Sequence, residues 1–177
     1  MKWKQISSEL LLRTAIFRIF KTRFRSEFSG KEGEFDVLEA KDWVNVVALT
    51  EASEVIMVEQ FRFGVGELTL EFPAGAIEAG QSPLSAAERE LSEETGGECA
   101  AILQTGSCRP NPAFLGNTCF HFLATGVKLG KEQKLDIFEE ITIKLFSIAE
   151  VEAMIASGKI SHSLSVAAWY FYKHPQS

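Results

Sequence analysis

Three glutamates that are close together in the sequence, Glu90, Glu93 and Glu94, have the residue type and spacing to bind a cation. If this segment is helical, side chains three and four positions apart lie on one face. Like charges in that arrangement destabilise an isolated helix by about 0.2–0.5 kcal/mol per pair. Clustered carboxylate oxygens are also the ligands that hard cations such as Mg²⁺ prefer. The spacing alone leaves two interpretations open, a solvated acidic face and a metal site.

The segment that carries these glutamates has clear helix start and stop signals. Ser82 is a favourable N-cap, Pro83 suits the first helical position and Gly96 follows the end, which predicts a helix of about 13 residues. We expect one apolar face of this helix to pack on a sheet. That face comprises Leu84, Ala87 and Leu91.

The other predicted elements are mostly strands. Between residues 20 and 28, apolar or small residues alternate with charged ones, which predicts a strand with one face against water or acidic groups. Pro73-Ala74-Gly75 interrupts the strand pattern, and a loop is predicted from there to Gln81. Further strands are predicted at 34–40, 43–50, 55–60, 67–72, 99–105, 119–125 and 141–146, and further helices at 148–157 and 163–173. These elements indicate an α+β fold with a mixed sheet and helices packed on it.

Composition and charge exclude some classes of function. The chain has 177 residues, 46% of them hydrophobic, and a formal net charge of −6. That charge argues against a nucleic-acid binder held by bulk electrostatics. It is unevenly distributed, because residues 1–28 hold seven basic and two acidic side chains. We expect an acidic body, a basic N-terminal segment and no nucleic-acid partner.

Cysteine usage and apolar run lengths bear on the compartment. The three cysteines, Cys99, Cys108 and Cys119, form no C-x-x-C pair, which predicts reduced thiols and a cytoplasmic protein. The longest apolar stretches fall short of the ~20 residues that a membrane span requires. The leucines at 10–12 are too short a run for a signal-peptide core. We therefore expect no membrane partner.

The residues before and within the predicted helix form a longer motif. Gly75, Gln81 and the run Arg89-Glu90-Leu91-Ser92-Glu93-Glu94-Thr95-Gly96 are separated by five and by seven residues. This closely resembles the Nudix box, Gly-x₅-Glu-x₇-Arg-Glu-(apolar)-x-Glu-Glu-x-Gly-(apolar). Seven of its nine specified positions match, while Gln81 replaces a glutamate and Gly97 replaces the final apolar residue. The resemblance implies a Nudix-like α/β/α sandwich that hydrolyses a nucleoside diphosphate linked to another moiety.

The resemblance also implies roles for individual residues. Glu90 and Glu94 would be the principal ligands of Mg²⁺, with Mn²⁺ as an alternative ion, and Arg89 would orient a box glutamate. Gln81 can form hydrogen bonds but adds no charge, so we expect reduced activity. The implied metal site comprises the Ala74 carbonyl, Glu90, Glu93, Glu94 and Glu139.

Residues outside the box resemble the ADP-ribose pyrophosphatase branch of the family. They are Glu59-Gln60-Phe61-Arg62, the run from Leu70 to Gly80, and Pro112, which lies 15 residues after Gly97. The branch implies hydrolysis of ADP-ribose to AMP and ribose 5-phosphate. By resemblance, Arg62 would reach a substrate phosphate and Glu71 would form a polar part of the site. The loop that contains Pro112 and Phe114 would edge the pocket.

The general base is the least defined part of the implied site. Relatives in this branch place a glutamate on a loop after the box, and here Asp136, Glu139 and Glu140 precede a predicted strand. Aligning that strand places Glu139 at the ligand position. The base is left open between Glu139 and Glu140, with Glu93 and Arg89 completing the predicted catalytic set.

The domain prediction divides the chain at residue 40. Residues 41–177 are predicted to form the Nudix hydrolase domain, and residues 1–40 an N-terminal β extension. Because N-terminal strands often pack across a dimer in ADP-ribose relatives, we expect this extension to act as a dimerisation arm in a homodimer. Two alternatives to an ADP-ribose hydrolase remain. One is a Nudix hydrolase of a GDP-sugar or dinucleotide, and the other is a non-catalytic Nudix-fold module that binds a nucleotide sugar.

Overall fold

The computed structural model of the protein describes residues 2–176 of the chain, which form two compact units. One unit extends to Asp42 and also includes Arg109–Thr118. The other comprises Trp43–Cys108 and the residues from Cys119 onward. No helix within residues 2–176 has the length and apolar character needed to cross a membrane.

The first unit contains a three-stranded antiparallel sheet. Its strands are β1 (Trp3–Arg13), β2 (Arg18–Ser26) and β3 (Glu32–Glu39), in spatial order β1-β2-β3. Basic side chains of β2 pair with acidic side chains of β3. Lys21 lies 2.5 Å from Asp36, and Arg23 lies 2.8 Å from Glu32. The alternating charges predicted between residues 20 and 28 therefore face acidic partners, as well as water.

Strand β1 was missed by the sequence-based prediction, which placed no strand before residue 20. All of its residues are exposed, and its pairing with β2 shifts register between Gln5 and Ser7 and again between Leu10 and Leu12. Each shift interrupts the period-two alternation by which a strand is recognised in a sequence. The leucines at 10–12 are consequently part of an exposed strand.

The second unit contains an eight-stranded sheet. Its strands are β4 (Trp43–Thr50), β5 (Val55–Arg62), β6 (Glu67–Glu71), β7 (Ala74–Ala76), β8 (Gly97–Glu98), β9 (Ala101–Cys108), β10 (Cys119–Leu129) and β11 (Ile141–Phe146). They lie in the order β11-β5-β4-β10-β8, with β6 beside β5, β7 beside β4 and β9 beside β10. Strands β4 and β10 are parallel, whereas the other pairs are antiparallel, so the sheet is mixed, as predicted.

Helices cover both faces of this sheet. They are α1 (Pro83–Thr95), α2 (Ile148–Ala156) and α3 (Ser163–Lys173). On β4, Val44 and Val46 belong to the core cluster that contains residues of α1, and Val47 belongs to the cluster that contains residues of α2 and α3. The alternation of β4 thus supplies both cores, which confirms the predicted α/β/α sandwich.

Helix α1 has the predicted limits but a different apolar face. Ser82 Oγ accepts a hydrogen bond from the Ser85 amide at 3.2 Å, and Gly96 caps the other end. Leu84, which was predicted to face the sheet, is 44% exposed. The buried apolar residues are Ala86, Ala87 and Leu91, so the sheet-facing stripe includes Ala86 in place of Leu84.

Strand β7 is a further correction, because residues 74–76 were predicted to be loop. In the structure Gly75 pairs with Val44, and Ala74 pairs with Asn45. Three residues after a proline are too few to show a period-two pattern, so the sequence carried no strand signal there. The other limits differ by a few residues; β10, for example, extends to Leu129 rather than 125.

The close packing of α3 on β9 supports a test of the fold. A Cβ added at Gly106 would lie 2.5 Å from the Phe171 ring, which itself packs on His121. We expect Gly106→Ala to lower the free energy of unfolding by about 1–3 kcal/mol, measured by urea denaturation. Gly64→Ala is the matched control, because its Cβ would meet no atom within 4 Å. Equal stabilities of the two variants would contradict this packing.

Candidate active site

The glutamates of α1 meet the backbone of β7. The Ala74 amide donates a hydrogen bond to Glu94 Oε2 at 3.0 Å. The Glu90 carboxylate lies so close to Gly75 that a Cβ at that position would be 2.0 Å from Glu90 Oε1. A residue without a side chain is therefore required at position 75 for this approach. The carboxylates of both glutamates of α1 therefore lie against the backbone of β7.

Burial and mutual repulsion disfavour the ionised forms of these two glutamates. Glu90 is 9% exposed and Glu94 is 3% exposed. Burial raises the pKa of Glu90 to about 7, against the opposing effect of Arg89. Burial also raises the pKa of Glu94 to about 8, although the Ala74 hydrogen bond lowers it, and the charge of Glu90 adds to the rise. The site therefore places two carboxyl groups where a negative charge on either of them is poorly solvated.

Arg89 joins the glutamates of α1 to the preceding strand. Its Nη1 donates to Glu93 Oε2 at 2.7 Å, and its Nη2 lies 2.8 Å from Glu90 Oε1. Nη2 also donates to the Ala76 carbonyl at 2.9 Å. Gln81 Oε1 lies 3.4 Å from the same nitrogen, so the residue that replaces the box glutamate stays within reach as a neutral acceptor. This arrangement holds Glu93 beside Arg89.

Glu90 and Glu94 are the residues that fit a divalent cation. A positive charge beside two buried carboxylates that repel each other would stabilise their ionised forms. Glu93 instead forms an ion pair with Arg89. Within residues 2–176, His, Cys, Asp and Glu side chains form no group of three or more with the geometry of a metal site. The predicted ligand set that includes Glu93, Glu139 and the Ala74 carbonyl stays a prediction.

A second ionic contact lies at the end of β6. The carboxylate of Glu71, which is fully buried, accepts from Arg62 Nε at 2.8 Å and from Arg62 Nη2 at 2.6 Å. Thr69 Oγ1 donates to it at 2.6 Å. Burial by itself would raise the pKa of Glu71, but the hydrogen bonds from Arg62 and His162 hold it well below its usual range. Glu71 is therefore an anchor for Arg62.

The loop before β11 brings one of the two candidate bases towards the acidic cluster. Glu139 Oε2 accepts from the Asp136 amide at 3.0 Å. The negative charge of Glu139 contributes to the raised pKa values of both Glu90 and Glu94. Glu140 is exposed on the same loop and is not among the main causes of either rise. A pocket of about 640 Å³ lies between residues 60–63 and residues 136–140.

Pro112 and Phe114 belong to the first compact unit, which contains β1–β3. Their segment, Arg109–Thr118, lies beside β3, where the Leu38 amide donates a hydrogen bond to the Phe114 carbonyl at 2.8 Å. The Phe114 side chain is 43% exposed. Their role in binding substrate stays a prediction.

Sequence reasoning missed two side chains that contact this site. Gln133 Nε2 donates to the Glu94 carbonyl at 2.5 Å, which secures the last turn of α1. His162 Nδ1 lies 3.0 Å from Glu71 Oε2. Neither residue belongs to a motif at fixed spacing. Their contacts arise from tertiary packing over separations that no local pattern reports.

Comparison with known proteins identifies the family to which this fold belongs. The sequence profile of the NUDIX domain family matches residues 19–166, so the chain belongs to the Nudix family. Over 142 residues it is 30% identical to the methanol dehydrogenase activator of Bacillus methanolicus, with 79% of this chain and 76% of that protein covered. The recognition of a Nudix hydrolase from the sequence is confirmed.

Two further similarities extend over most of the chain. Over 167 residues it is 29% identical to the ADP-ribose pyrophosphatase of Mycobacterium tuberculosis, with 93% of this chain and 80% of that protein covered. A solved structure described as an ADP compounds hydrolase superposes with a TM-score of 0.85 at 17% identity. That superposition covers 98% of this chain and 93% of the other, and it confirms the Nudix-like fold.

The contact between Gly75 and Glu90 supports a test of the site. We expect Gly75→Ala to displace the Glu90 carboxylate and to weaken Mn²⁺ binding by about tenfold or more, measured by electron paramagnetic resonance titration. Unfolding free energy should change little, because the atoms nearest to the added Cβ belong to the flexible end of the Glu90 side chain. Gly116→Ala, whose Cβ would meet nothing within 4 Å, is the control. Unchanged Mn²⁺ affinity in Gly75→Ala would show that Glu90 does not bind the cation.

Proposed function

We propose that the protein hydrolyses the diphosphate bond of a nucleoside-diphosphate sugar, with ADP-ribose as the preferred substrate. The observation that carries the proposal is the pair of buried carboxylates, Glu90 and Glu94, held against β7. The charge of Glu94 acts on Arg62, which lines a pocket. The similarity to a protein named ADP-ribose pyrophosphatase supports the choice of substrate. The products from ADP-ribose would be AMP and ribose 5-phosphate.

The reaction requires a water molecule to attack one phosphorus while the bridging P–O bond breaks. Two negatively charged phosphates repel an incoming hydroxide, so charge must be neutralised at the phosphate oxygens. A divalent cation held by Glu90 and Glu94, Mg²⁺ or Mn²⁺, would supply this neutralisation and acidify the water. Arg89 keeps Glu93 and Glu90 oriented towards this region through its two ion pairs.

Arg62 is proposed to bind a substrate phosphate. Nε and Nη2 of its guanidinium donate to Glu71, which leaves Nη1 to donate to a phosphate oxygen. About a third of its side chain is exposed, and the side chain lines the pocket. Pro112 and Phe114 are proposed to contact the substrate from their own loop.

Glu139 is proposed as the group that takes the proton from the attacking water. Of the two candidates, it is the one whose charge is among the main causes of the pKa shifts of Glu90, Glu94 and Arg62. A carboxylate whose charge acts on these residues lies near the proposed site of water attack. A positioned general base contributes about 10²–10⁴-fold to the rate. Glu140, four residues after Asp136 on the same loop, serves as its matched comparison.

Turnover of a substrate panel tests this proposal. With Mg²⁺ present, we expect ADP-ribose to give AMP with a higher kcat/KM than GDP-mannose, a dinucleotide or ATP. Glu94→Gln should lower kcat/KM by about 100-fold or more, because a buried ligand loses its charge. Glu139→Gln should lower kcat by about 100-fold, whereas Glu140→Gln should change it less than threefold.

Other outcomes of this panel identify the alternatives. Higher kcat/KM for GDP-mannose or a dinucleotide would make the chain a Nudix hydrolase of a different substrate. Binding of ADP-ribose without turnover of any member of the panel would make it a nucleotide-sugar-binding module. Equal losses in Glu139→Gln and Glu140→Gln would reject the assignment of the base.

We also propose that the three-stranded sheet formed by β1–β3 is a dimerisation arm that a second copy of the chain covers. Strand β1 is exposed along its whole length, and its apolar side chains include Ile6, Leu10, Leu11 and Leu12. An exposed apolar strand with an open edge is a pairing surface that proteins normally cover. A homodimer would bury it.

Sedimentation velocity tests this arm. We expect the full chain to be dimeric and the deletion of residues 1–30 to be monomeric, because the deletion removes β1 and β2. The single variant Leu11→Glu should also weaken the dimer, by placing a charge on the covered strand. Phe28→Glu, an exposed position outside the strands, is its control. A dimeric, active truncation would refute the arm.

A further inference from the structure

The carboxylate of Glu71 is saturated with hydrogen-bond donors. Its Oε1 accepts from Arg62 Nε at 2.8 Å and from Thr69 Oγ1 at 2.6 Å. Its Oε2 accepts from Arg62 Nη2 at 2.6 Å and lies 3.0 Å from His162 Nδ1. An ionised carboxylate has about four acceptor sites, so these four donors fill them all. Since the carboxylate can only accept, the contact with His162 requires the hydrogen on Nδ1.

His162 lies at the junction of β6 and α3. It is the residue before α3, yet its side chain makes no hydrogen bond that caps the helix. Its described polar contacts are with Glu71 and with Ser165 Oγ, at 3.4 Å from Nδ1. Ser165, which is fully buried, also accepts from the Phe72 amide at 3.4 Å. The imidazole is therefore directed at the end of β6 and takes no part in starting its own helix.

We propose that His162 is a positioning residue for Arg62 and acts through Glu71. This rests on the proposed function, in which Arg62 binds a substrate phosphate. Two parallel hydrogen bonds between a guanidinium and a carboxylate hold both groups in one plane. Whatever fixes the rotation of the Glu71 carboxylate therefore fixes the direction in which Arg62 presents Nη1.

His162 supplies the donor that resists this rotation from outside the β5–β6 pair. The last side-chain torsion of a glutamate is broad, so the carboxylate turns readily unless its oxygens are held separately. Thr69 holds Oε1, and His162 holds Oε2. Without His162, the carboxylate and the arginine attached to it can turn together. The partly exposed Arg62 would then sample several directions, and phosphate binding would have to order it.

Two variants of His162 separate this role from a purely structural one. His162→Ser keeps a favourable helix N-cap but is too short to reach Glu71, so α3 should still form. His162→Asn is also a favourable N-cap, and its amide nitrogen stands at the same number of bonds from Cβ as Nδ1. His174→Ala, at the opposite end of α3, is the control for loss of an imidazole from this helix.

Kinetics with ADP-ribose give the first measurement. We expect His162→Ser to raise KM about tenfold with kcat changed less than twofold, and His162→Asn to restore KM to within about threefold. In an Arg62→Lys background, which breaks the two-point contact, His162→Ser should raise KM less than twofold further. A tenfold rise that persists in that background would overturn the proposal, as would failure of His162→Asn to restore KM.

A second measurement needs no turnover. In the nuclear magnetic resonance spectrum of the full chain, the Arg62 Nε–H should exchange slowly with water because it is bonded to a buried carboxylate. Exchange should accelerate about tenfold in His162→Ser, and stay unchanged in His162→Asn and in His174→Ala. Unchanged exchange in His162→Ser would overturn the positioning role. If the unmodified protein hydrolysed no nucleoside-diphosphate sugar, the proposed function would fail, and this measurement would still decide whether His162 positions Arg62.

Discussion

The candidate active site depends on one constraint, the burial of two carboxylates between a helix and a three-residue strand. Glu90 reaches its place only because position 75 has no side chain. Glu94 is held by a hydrogen bond from the backbone amide of Ala74 in the same strand. Taking such groups out of water raises their pKa values and makes their ionised state unfavourable without a partner. The remaining polar contacts, those of Arg89 and Gln133 above all, keep the helix where this burial can occur.

The sequence was informative wherever a structural feature is encoded by neighbouring residues, such as the ends of a helix or the spacing of side chains along it. Ser82, Pro83 and Gly96 set the limits of α1, and the spacing of its glutamates placed them on one face. It was uninformative where partners are distant or the period is broken. The register shifts of β1 hid a strand of 11 residues, and the contact between Glu71 and His162 joins residues that no motif links. Glu71 was accordingly expected to form a polar part of the site, and its role as an anchor became visible only through its four donors.

The uneven charge of the chain has a local explanation in its first unit. Basic side chains of β2 lie opposite the acidic side chains of β3, so the N-terminal excess of positive charge is largely paired within one small sheet. Such exposed pairs add little stability individually, about 0–1 kcal/mol each. Their alternation along the strands favours one register, because a slip by one residue would set basic side chains of β2 opposite apolar residues or glycine of β3 and separate the pairs.

The path of the chain between the two compact units has a consequence for how they can be separated. It passes from one unit to the other after Asp42, returns after Cys108 and leaves again after Thr118. The segment between β9 and β10 bonds to Leu38, Lys41 and Asp42 through backbone and side-chain atoms. A single proteolytic cut after Asp42 would therefore nick the protein without dividing it into two independent domains. Gene fragments that end at residue 42 would likewise lack ten residues that complete the first unit.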